Sequence, residues 1–340
     1  MSAPARTDAT LDRALVWLHD AQAPTGELVS YASPLEGEPV WVPDPLKFIT
    51  ALGAVALDEV PDDRAREVVD RAVGFLRHEQ ETMAQWRYWA ATNDQYDFTP
   101  PDADDTACCS MAVATRGHGT ARNRAVLLAN RDPQGRFYTW LVPHGFRIDP
   151  RLWWATRDEL RSAVRRRRDE LWTTTEAERD DVDGVVNLNV LRYLGARAPR
   201  AAVEWVTAIV AAGDEAVCDK WHRNRYTTYA AIADAHRRGV PGLVDLGPTV
   251  VERIRERVGA DGTVGAALDT AFALLALGVF DADPALRHRL ADALRASQSE
   301  DGSWRRSIFY YGGPMEVFGW ASEALTTAVC AQALHREGAA

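Results

Sequence analysis

Three carboxylates crowd into four residues at Asp102-Ala103-Asp104-Asp105. Each anion raises the proton affinity of its neighbours, so carboxylates this close cannot all ionise, and one is expected to stay protonated near neutral pH. An isolated carbon–carbon double bond or an epoxide demands a far stronger acid than a solvated carboxylic acid; a desolvated, supported carboxyl group meets that demand. The plainer reading is an acidic helix start, in which Asp102 to Asp105 cap a helix and meet its dipole. Catalysis is the preferred reading. The two are compatible, since a helix N-terminus stabilises the conjugate base.

A protonated alkene becomes a carbocation, which needs walls that exclude water and aromatic faces that attract positive charge, each contributing about 0.5–2 kcal/mol. The chain holds 12 tryptophans. Candidates for the wall are Trp86, Trp89, Tyr96, Phe98, Tyr310, Tyr311 and Trp320. For any single aromatic, packing is the commoner role; Trp17 and Trp205 lie on apolar helix faces and are expected to be core. The run Lys220-Trp221-His222-Arg223-Asn224-Arg225-Tyr226 would offer Lys220, Arg223 and Arg225 to an anionic head group, with Arg87 as another cation, and a solvated loop explains it equally well.

The elements that must position these groups follow from hydrophobic periodicity. Six short, small-residue-rich apolar segments recur, at 48–57, 106–114, 187–194, 226–235, 270–279 and 324–334. Between them lie six amphipathic stretches with apolar residues at i, i+3, i+4 and i+7, at 11–22, 64–80, 121–130, 201–212, 244–258 and 285–298. A helix that is apolar all round must be buried, and one with a charged face lies outside. The alternation therefore predicts an all-α fold, an (α/α)6 barrel of six inner and six outer helices in consecutive hairpins. Pro61-Asp62-Asp63, Asp283-Pro284 and Pro199 are expected to start outer helices, and Gly195, Gly213 and Gly259 to stop helices. The whole chain, 1–340, is expected to form one domain with an insertion at about 137–179 that contains Trp140, Trp153, Trp154 and Trp172. Within it a helix is expected from Pro150 to Trp172, capped by Asp149. Arg165 to Arg168, with Asp158, Glu159, Asp169 and Glu170 around them, read as a salt-bridged surface.

The formal charge of −10 argues against a general nucleic-acid binder. No segment approaches the run of about eighteen apolar residues that a transmembrane helix needs. Residues 1–10 lack the features of a secretory signal, and Cys108, Cys109, Cys218 and Cys330 form no ligand pattern, so a cytoplasmic protein with free thiols is expected. Cys218 and His222 are four apart with no second pair to complete a zinc site. They read as a buried thiol and a polar-surface histidine, and no metal site is expected.

Three features resemble the squalene-hopene cyclases and related class II terpene cyclases. Pro101-Asp102-Ala103-Asp104-Asp105-Thr106-Ala107 is similar to that family's DxDD signature. Gln298-Ser299-Glu300-Asp301-Gly302-Ser303-Trp304 is similar to its QW repeat, with weaker echoes at Gln22 to Gly26 and Pro133-Gln134-Gly135-Arg136-Phe137. The third is the context of the acid, with Trp86-Arg87-Tyr88-Trp89, Tyr96 and Phe98 leading into the motif. The resemblance implies cyclisation of an isoprenoid started by protonation, with Asp104 as the general acid and Asp102 and Asp105 orienting it. It fixes no cofactor, and Mg2+ is the candidate if the substrate is a diphosphate.

Cyclases of that family usually carry two barrels around the reaction chamber, and this chain has residues for one. The insertion folding over the mouth, a homodimer, or a separate partner protein would close it, and the insertion is preferred. Asp180-Asp181-Val182-Asp183 departs from the metal-binding DDxxD of class I terpene synthases, because Gly184 stands at the last position. Asn187 and Asn189, two apart, cannot both face the barrel interior. The alternatives from other classes are a non-catalytic toroid that binds a prenyl chain or a protein, and an (α/α)6 glycosidase, which would need two separated carboxylates.

Overall fold

Segments that are apolar on every side can only be satisfied inside a ring of their own kind, and that ring is the organising feature of the computed structural model, which describes residues 8–144, 150–156, 169–312 and 317–339. In chain order its helices are α1 (Ala9–Ala21), α2 (Lys47–Leu57), α3 (Asp63–His78), α4 (Ala103–Ala114), α5 (Ala121–Ala129), α6 (Pro150–Thr156), α7 (Gly184–Leu194), α8 (Arg200–Ala212), α9 (Arg225–Arg237), α10 (Gly247–Arg255), α11 (Ala267–Val279), α12 (Pro284–Ala296) and α13 (Glu323–Ala339), with a further helical stretch at 169–174. Helices α2, α4, α7, α9, α11 and α13 each pack on the next, and α13 closes onto α2. Outside them, α1 lies on α13 and α3, α3 on α2, α8 on α7, α10 on α11, and α12 on α11 and α13. This is the expected (α/α)6 toroid.

Burial follows the two patterns. In α4 every residue from Ala103 to Val113 is buried. In α3 only Ala65, Val68, Val69, Ala72, Val73, Phe75 and Leu76 are buried, one stripe of an otherwise charged helix. Asp62 caps α3 by accepting from Arg64 N, and Asp283 caps α12 ahead of Pro284. Gly213 ends α8 in the left-handed conformation, with φ 83°. Trp17 and Trp205 are half-buried at the rim of the core rather than within it.

One turn recurs at the entrance to the inner helices. A residue with positive φ is followed two places later by a backbone N–H that donates to a side chain of the coming inner helix. The turn appears at Gly26 with Leu28 N to Thr50 Oγ1 (3.0 Å) and at Ala84 with Trp86 N to Thr106 Oγ1 (3.2 Å). It recurs at Gly135 with Phe137 N to Asn187 Oδ1 (2.8 Å), Gly262 with Val264 N to Thr270 Oγ1 (3.3 Å) and Gly302 with Trp304 N to Thr327 Oγ1 (3.1 Å). Glycine is required where the turn presses on an outer helix, since a Cβ at Gly302 would sit 2.5 Å from Arg13 O. Gln298 Nε2 donates to Gly302 O (2.8 Å) and to Thr10 O (2.8 Å), and Gln22 does the same to Gly26 O (2.7 Å) and Val68 O (3.0 Å). Gln22 and Gln298 thus make the same pair of hydrogen bonds, one within the turn and one to a neighbouring outer helix.

The purely helical expectation needs one addition. Strands β1 (Tyr31–Pro34), β2 (Val42–Pro43), β3 (Ser307–Gly312) and β4 (Phe318–Ser322) form an antiparallel sheet in the order β2-β1-β4-β3. Its central pairing, Tyr31 with Ala321, joins the two ends of the chain, so no local pattern announces it. The sheet carries Tyr310, Tyr311 and Trp320. Of the insertion, Phe137 and Leu141 are buried in a core with α7 and α8, and Trp140 is buried in a smaller cluster with Leu171 and Trp221. Trp153 is exposed. Asp149, Asp158, Glu159 and Arg165 to Arg168 lie outside the described residues.

Candidate active site

Asp102 sits at the N-cap of α4, its Oδ1 accepting from Asp105 N (2.7 Å). The cap is locked from both sides: Asp102 N donates to Trp86 O (3.2 Å) and Ala103 N to Thr139 O (2.8 Å). Capping places Asp104 and Asp105 in the first turn of the helix, both buried, where its unpaired N–H groups favour negative charge.

Asp104 is gripped at both oxygens. Asn189 Nδ2, from α7, donates to Oδ1 at 2.6 Å, and His222 Nε2 lies 3.1 Å from Oδ2. His222 Nδ1 is 3.3 Å from Phe309 O. A carbonyl only accepts, so Nδ1 carries a hydrogen and donates it, and the Nε2–Oδ2 contact holds the next proton. His222 is buried at 2% exposure, which corrects the surface histidine expected from sequence. The loop folds inward because Asp219 Oδ1 accepts from Trp221 N (2.9 Å) and His222 N (2.8 Å), while its Oδ2 accepts from Val185 N (2.9 Å) and Val186 N (3.3 Å) at the start of α7. Of the two asparagines, Asn189 reaches the acid, and Asn187 holds the Phe137 turn.

The cluster retains protons. Burial, together with the charges of Asp105 and Asp104, pushes Asp102 well above the usual carboxylate range. Burial and Asp104 push Asp105 up to about 7. Burial works against a charged imidazole, yet the hydrogen bond to Asp104 and the negative charge of Asp219 push His222 up to about 9. Near neutral pH this is a buried, proton-loaded group of carboxylates with an imidazolium attached, an arrangement that can deliver a proton and accept it back.

Aromatic rings cover this end of the barrel. Tyr310 stacks on Tyr88 at 4.6 Å and on Trp221 at 5.9 Å, and meets His222 edge-on at 5.4 Å. Its phenol is pushed well up, first by burial and then by Asp102, Asp105 and Asp104, so it stays neutral. Trp140 meets both Trp221 (5.8 Å) and Trp172 (5.6 Å) edge-on, bringing part of the insertion over the same cluster. Asp44 Oδ2 accepts from Trp89 Nε1 (3.1 Å) and Trp320 Nε1 (2.5 Å), fixing two more rings, and Phe98 lies against Trp89 at 6.0 Å.

The remaining candidates are placed elsewhere. Trp86 is fully buried with its indole donating to Leu76 O (2.8 Å), as Trp304 does to Leu294 O (2.9 Å). Both brace an outer helix against the recurring turn. Tyr96 bonds Glu81 Oε1 (3.1 Å) beneath the Arg87 guanidinium, itself paired to Glu81. Tyr311 lies outward under Arg223. Lys220 is paired with Asp181, Arg223 is exposed, and Arg225 is half-buried at the first position of α9, so these cations do not converge on Asp104. Among the described residues no group of three or more His, Cys, Asp or Glu side chains is placed to hold a metal ion. No described helix is long and apolar enough to cross a membrane.

His222, Asn189 and Asp219 were the functional positions that sequence reasoning missed or left open. Below them, Asn189 and His222 also line a largely apolar cavity inside the helix ring, with Phe48, Phe272, Phe309 and Leu325.

The whole architecture is similar to that of several solved structures. A protein from Actinoplanes superposes with a TM-score of 0.72 at 20% identity, over 97% of this chain and 99% of that one. A variant of the type II terpene cyclase MstE from Scytonema, in complex with its substrate geranylgeranyl dihydroxybenzoate, superposes with a TM-score of 0.67 at 17% identity, over 97% and 96%. The chain has the fold of the type II terpene cyclases. The similarity to MstE extends along nearly the whole length of both chains. The same toroid also serves elsewhere: a "possible member of GH105 family" from Salmonella enterica superposes with a TM-score of 0.57 at 12% identity, over 98% and 96%. Fold alone does not choose the chemistry. No family model matches the sequence. No curated protein matches it either.

Proposed function

We propose that this protein is a class II terpene cyclase, in which Asp104 protonates a terminal alkene or epoxide of an isoprenoid and the chain then closes on the resulting cation. The observation that carries this reading is the Asp104 carboxyl group, buried at the start of α4 and held by Asn189 at 2.6 Å and by His222 at 3.1 Å, with the Tyr310 ring edge-on to His222. These partners leave each oxygen a further lone-pair position, on which the transferable proton is carried. As the O–H bond breaks, the proton forms a C–H bond with the alkene, or an O–H bond with the epoxide oxygen as a ring C–O bond opens, and the carboxylate keeps the electron pair; Asn189, His222 and the α4 N-terminus stabilise that anion. Ring closure ends when a C–H proton is lost, so product and substrate are isomers.

Tyr88, Tyr310, Trp221, Trp320 and Trp89 supply the cation-stabilising wall, and Trp140 and Trp172 bring the insertion across the mouth. A prenylated aromatic acid, the class bound by MstE, is the preferred substrate, with prenyl diphosphates second. The test is incubation with farnesyl and geranylgeranyl diphosphates, prenylated hydroxybenzoates and squalene, followed by a search for cyclised isomers of unchanged mass. Asp104→Asn should abolish turnover with helicity intact; retained turnover would falsify the assignment. An intact head group in the product separates protonation from ionisation of a diphosphate.

A further inference from the structure

Asn189 stands between the acid and a line of charges that runs down the inside of the helix ring. Its Nδ2 donates to Asp104 Oδ1 (2.6 Å), and its Oδ1 accepts from Arg192 Nη1 (2.6 Å), one helical turn further along α7. Arginine can only donate, so the orientation of the amide is settled by its two partners. Arg192 Nε donates to Asp234 Oδ2 (2.8 Å) on α9, and the same oxygen accepts from Arg238 Nε (2.7 Å). Asp234 Oδ1 accepts from Arg237 Nη2 (3.2 Å). Arg237 and Arg336 then share Glu59. Arg192 and Asp234 both border the cavity that Asn189 and His222 line.

A guanidinium this enclosed is expensive to desolvate, and a hydrophobic pair of similar volume would fill the space as well or better. Its placement on the amide oxygen gives it a specific consequence. We propose that Arg192 is a positioning residue that sets the strength of the acid: by polarising the Asn189 amide it strengthens the N–H donated to Asp104 and so stabilises the carboxylate left after proton transfer. Hydrogen bonds in series reinforce one another, by about 10–30% per bond, and the effect is larger where the surroundings are weakly polarisable. Asp234 has the opposite sense, drawing on the charge of Arg192 and so weakening its pull on the Asn189 amide. The inference rests on Asp104 being the general acid.

The other titratable groups facing Asp104 come from every neighbouring element. They are Asp102, Asp105 and Cys108 on its own helix, Arg192 from α7, Asp219 and His222 from the loop before α9, and Tyr310 from β3, with Lys47 from α2 facing Asp105. Of these, Arg192 touches Asn189 Oδ1; its charge also reaches Asp104 directly, so the amide route is separated from the direct one by removing Asn189.

The test uses the full-length protein without substrate, following the His222 imidazole by NMR as pH is varied, because His222 shares the Asp104 carboxylate. Arg192→Gln should raise its titration midpoint above the wild-type value, Arg192→Lys should leave it close to wild type, and Asp234→Asn should lower it. In an Asn189→Ala background the shift caused by Arg192→Gln should shrink to a small fraction. A shift of equal size with and without Asn189 would mean that charge acts directly through space, and would overturn the proposal, as would no shift in folded variants. If Arg192→Gln fails to fold, the lowering caused by Asp234→Asn is measured with and without Asn189, and a shift of equal size in both would overturn the proposal. Turnover by Asp104→Asn tests the underlying reading separately, so the two can fail independently.

Discussion

Asp219 accepts the backbone N–H of His222 at 2.8 Å with one carboxylate oxygen and that of Val185 at 2.9 Å with the other. One side chain thus caps the helix that delivers Asn189 and turns inward the loop that delivers His222. Asp183, which occupies the N-cap position of that helix, makes no capping bond to it and instead takes Thr139 Oγ1 (2.5 Å) and Lys220 N (3.1 Å). Replacing Asp219 with Ala removes the acceptor of four backbone N–H groups at once. The expected loss is about 3–5 kcal/mol, measured by urea denaturation. Turnover should fall further than the unfolded fraction explains, because both partners of Asp104 are displaced.

His222→Gln keeps a donor near Asp104 and removes the titratable ring. Turnover should fall by roughly 10–100-fold, in line with the loss of an outer-shell partner, with little change in KM. Unchanged turnover would show that Asn189 and the helix terminus alone support the acid.

Stability should depend on pH in a direction fixed by His222. Its folded-state value, about 9, lies above the unfolded value near 6.5, so the native state holds this proton more tightly. Its contribution is complete below about 6.5 and is lost as pH rises through about 9. Asp105, raised to about 7, acts with the same sign at lower pH, from about 4 upward. The melting temperature should therefore decline between pH 6.5 and 9, and the decline should be shallower in His222→Gln. An unchanged slope in that variant would place the titrating group elsewhere.

Two glycines should respond in opposite directions to alanine. Gly302 has φ 95° and its Cβ would lie 2.5 Å from Arg13 O, so Gly302→Ala should cost more than about 1 kcal/mol. Gly74 lies inside α3 with open space at its Cβ position, and Gly74→Ala should stabilise by about 0.5–1 kcal/mol. Thermal melts of the two variants check the pair.

Brace and wall should separate on substitution. Trp86→Phe leaves Leu76 O without its indole donor and loosens the core, so it should destabilise by about 1–3 kcal/mol with the product pattern retained. Tyr310→Leu replaces the ring that meets His222 with an aliphatic side chain, and should change turnover or the product mixture by more than its stability loss explains. Product analysis by gas chromatography together with denaturation distinguishes the two effects.

The helices were legible because the reason for each is local. Whether a segment is apolar on one face or on all faces is written in the segment itself, and the order of inner and outer helices follows from it. Asp102-Ala103-Asp104-Asp105 was legible for the same reason: a cap and the first turn of a helix need only neighbouring residues. Trp86 had a signal that went unread. Gln80, Ala84 and Trp86 have the spacing of Gln298, Gly302 and Trp304, but alanine stands where the turn favours glycine, and Ala84 adopts φ 59° regardless. The sheet had no signal of this kind, since β1 and β4 come from opposite ends of the chain.

By itself, then, the sequence determined the alternation of inner and outer helices and the position of the Asp102-Ala103-Asp104-Asp105 cluster at an inner-helix N-terminus, since each depends on neighbouring residues. The company the acid keeps was decided by closure of the ring. Asn189 is 85 residues from Asp104 and His222 is 118 away, and no periodicity or spacing links them. Only when α4, α7 and α9 stand side by side do a carboxylate, an amide and an imidazole share one buried site, and it is burial together with that contact that moves their protons.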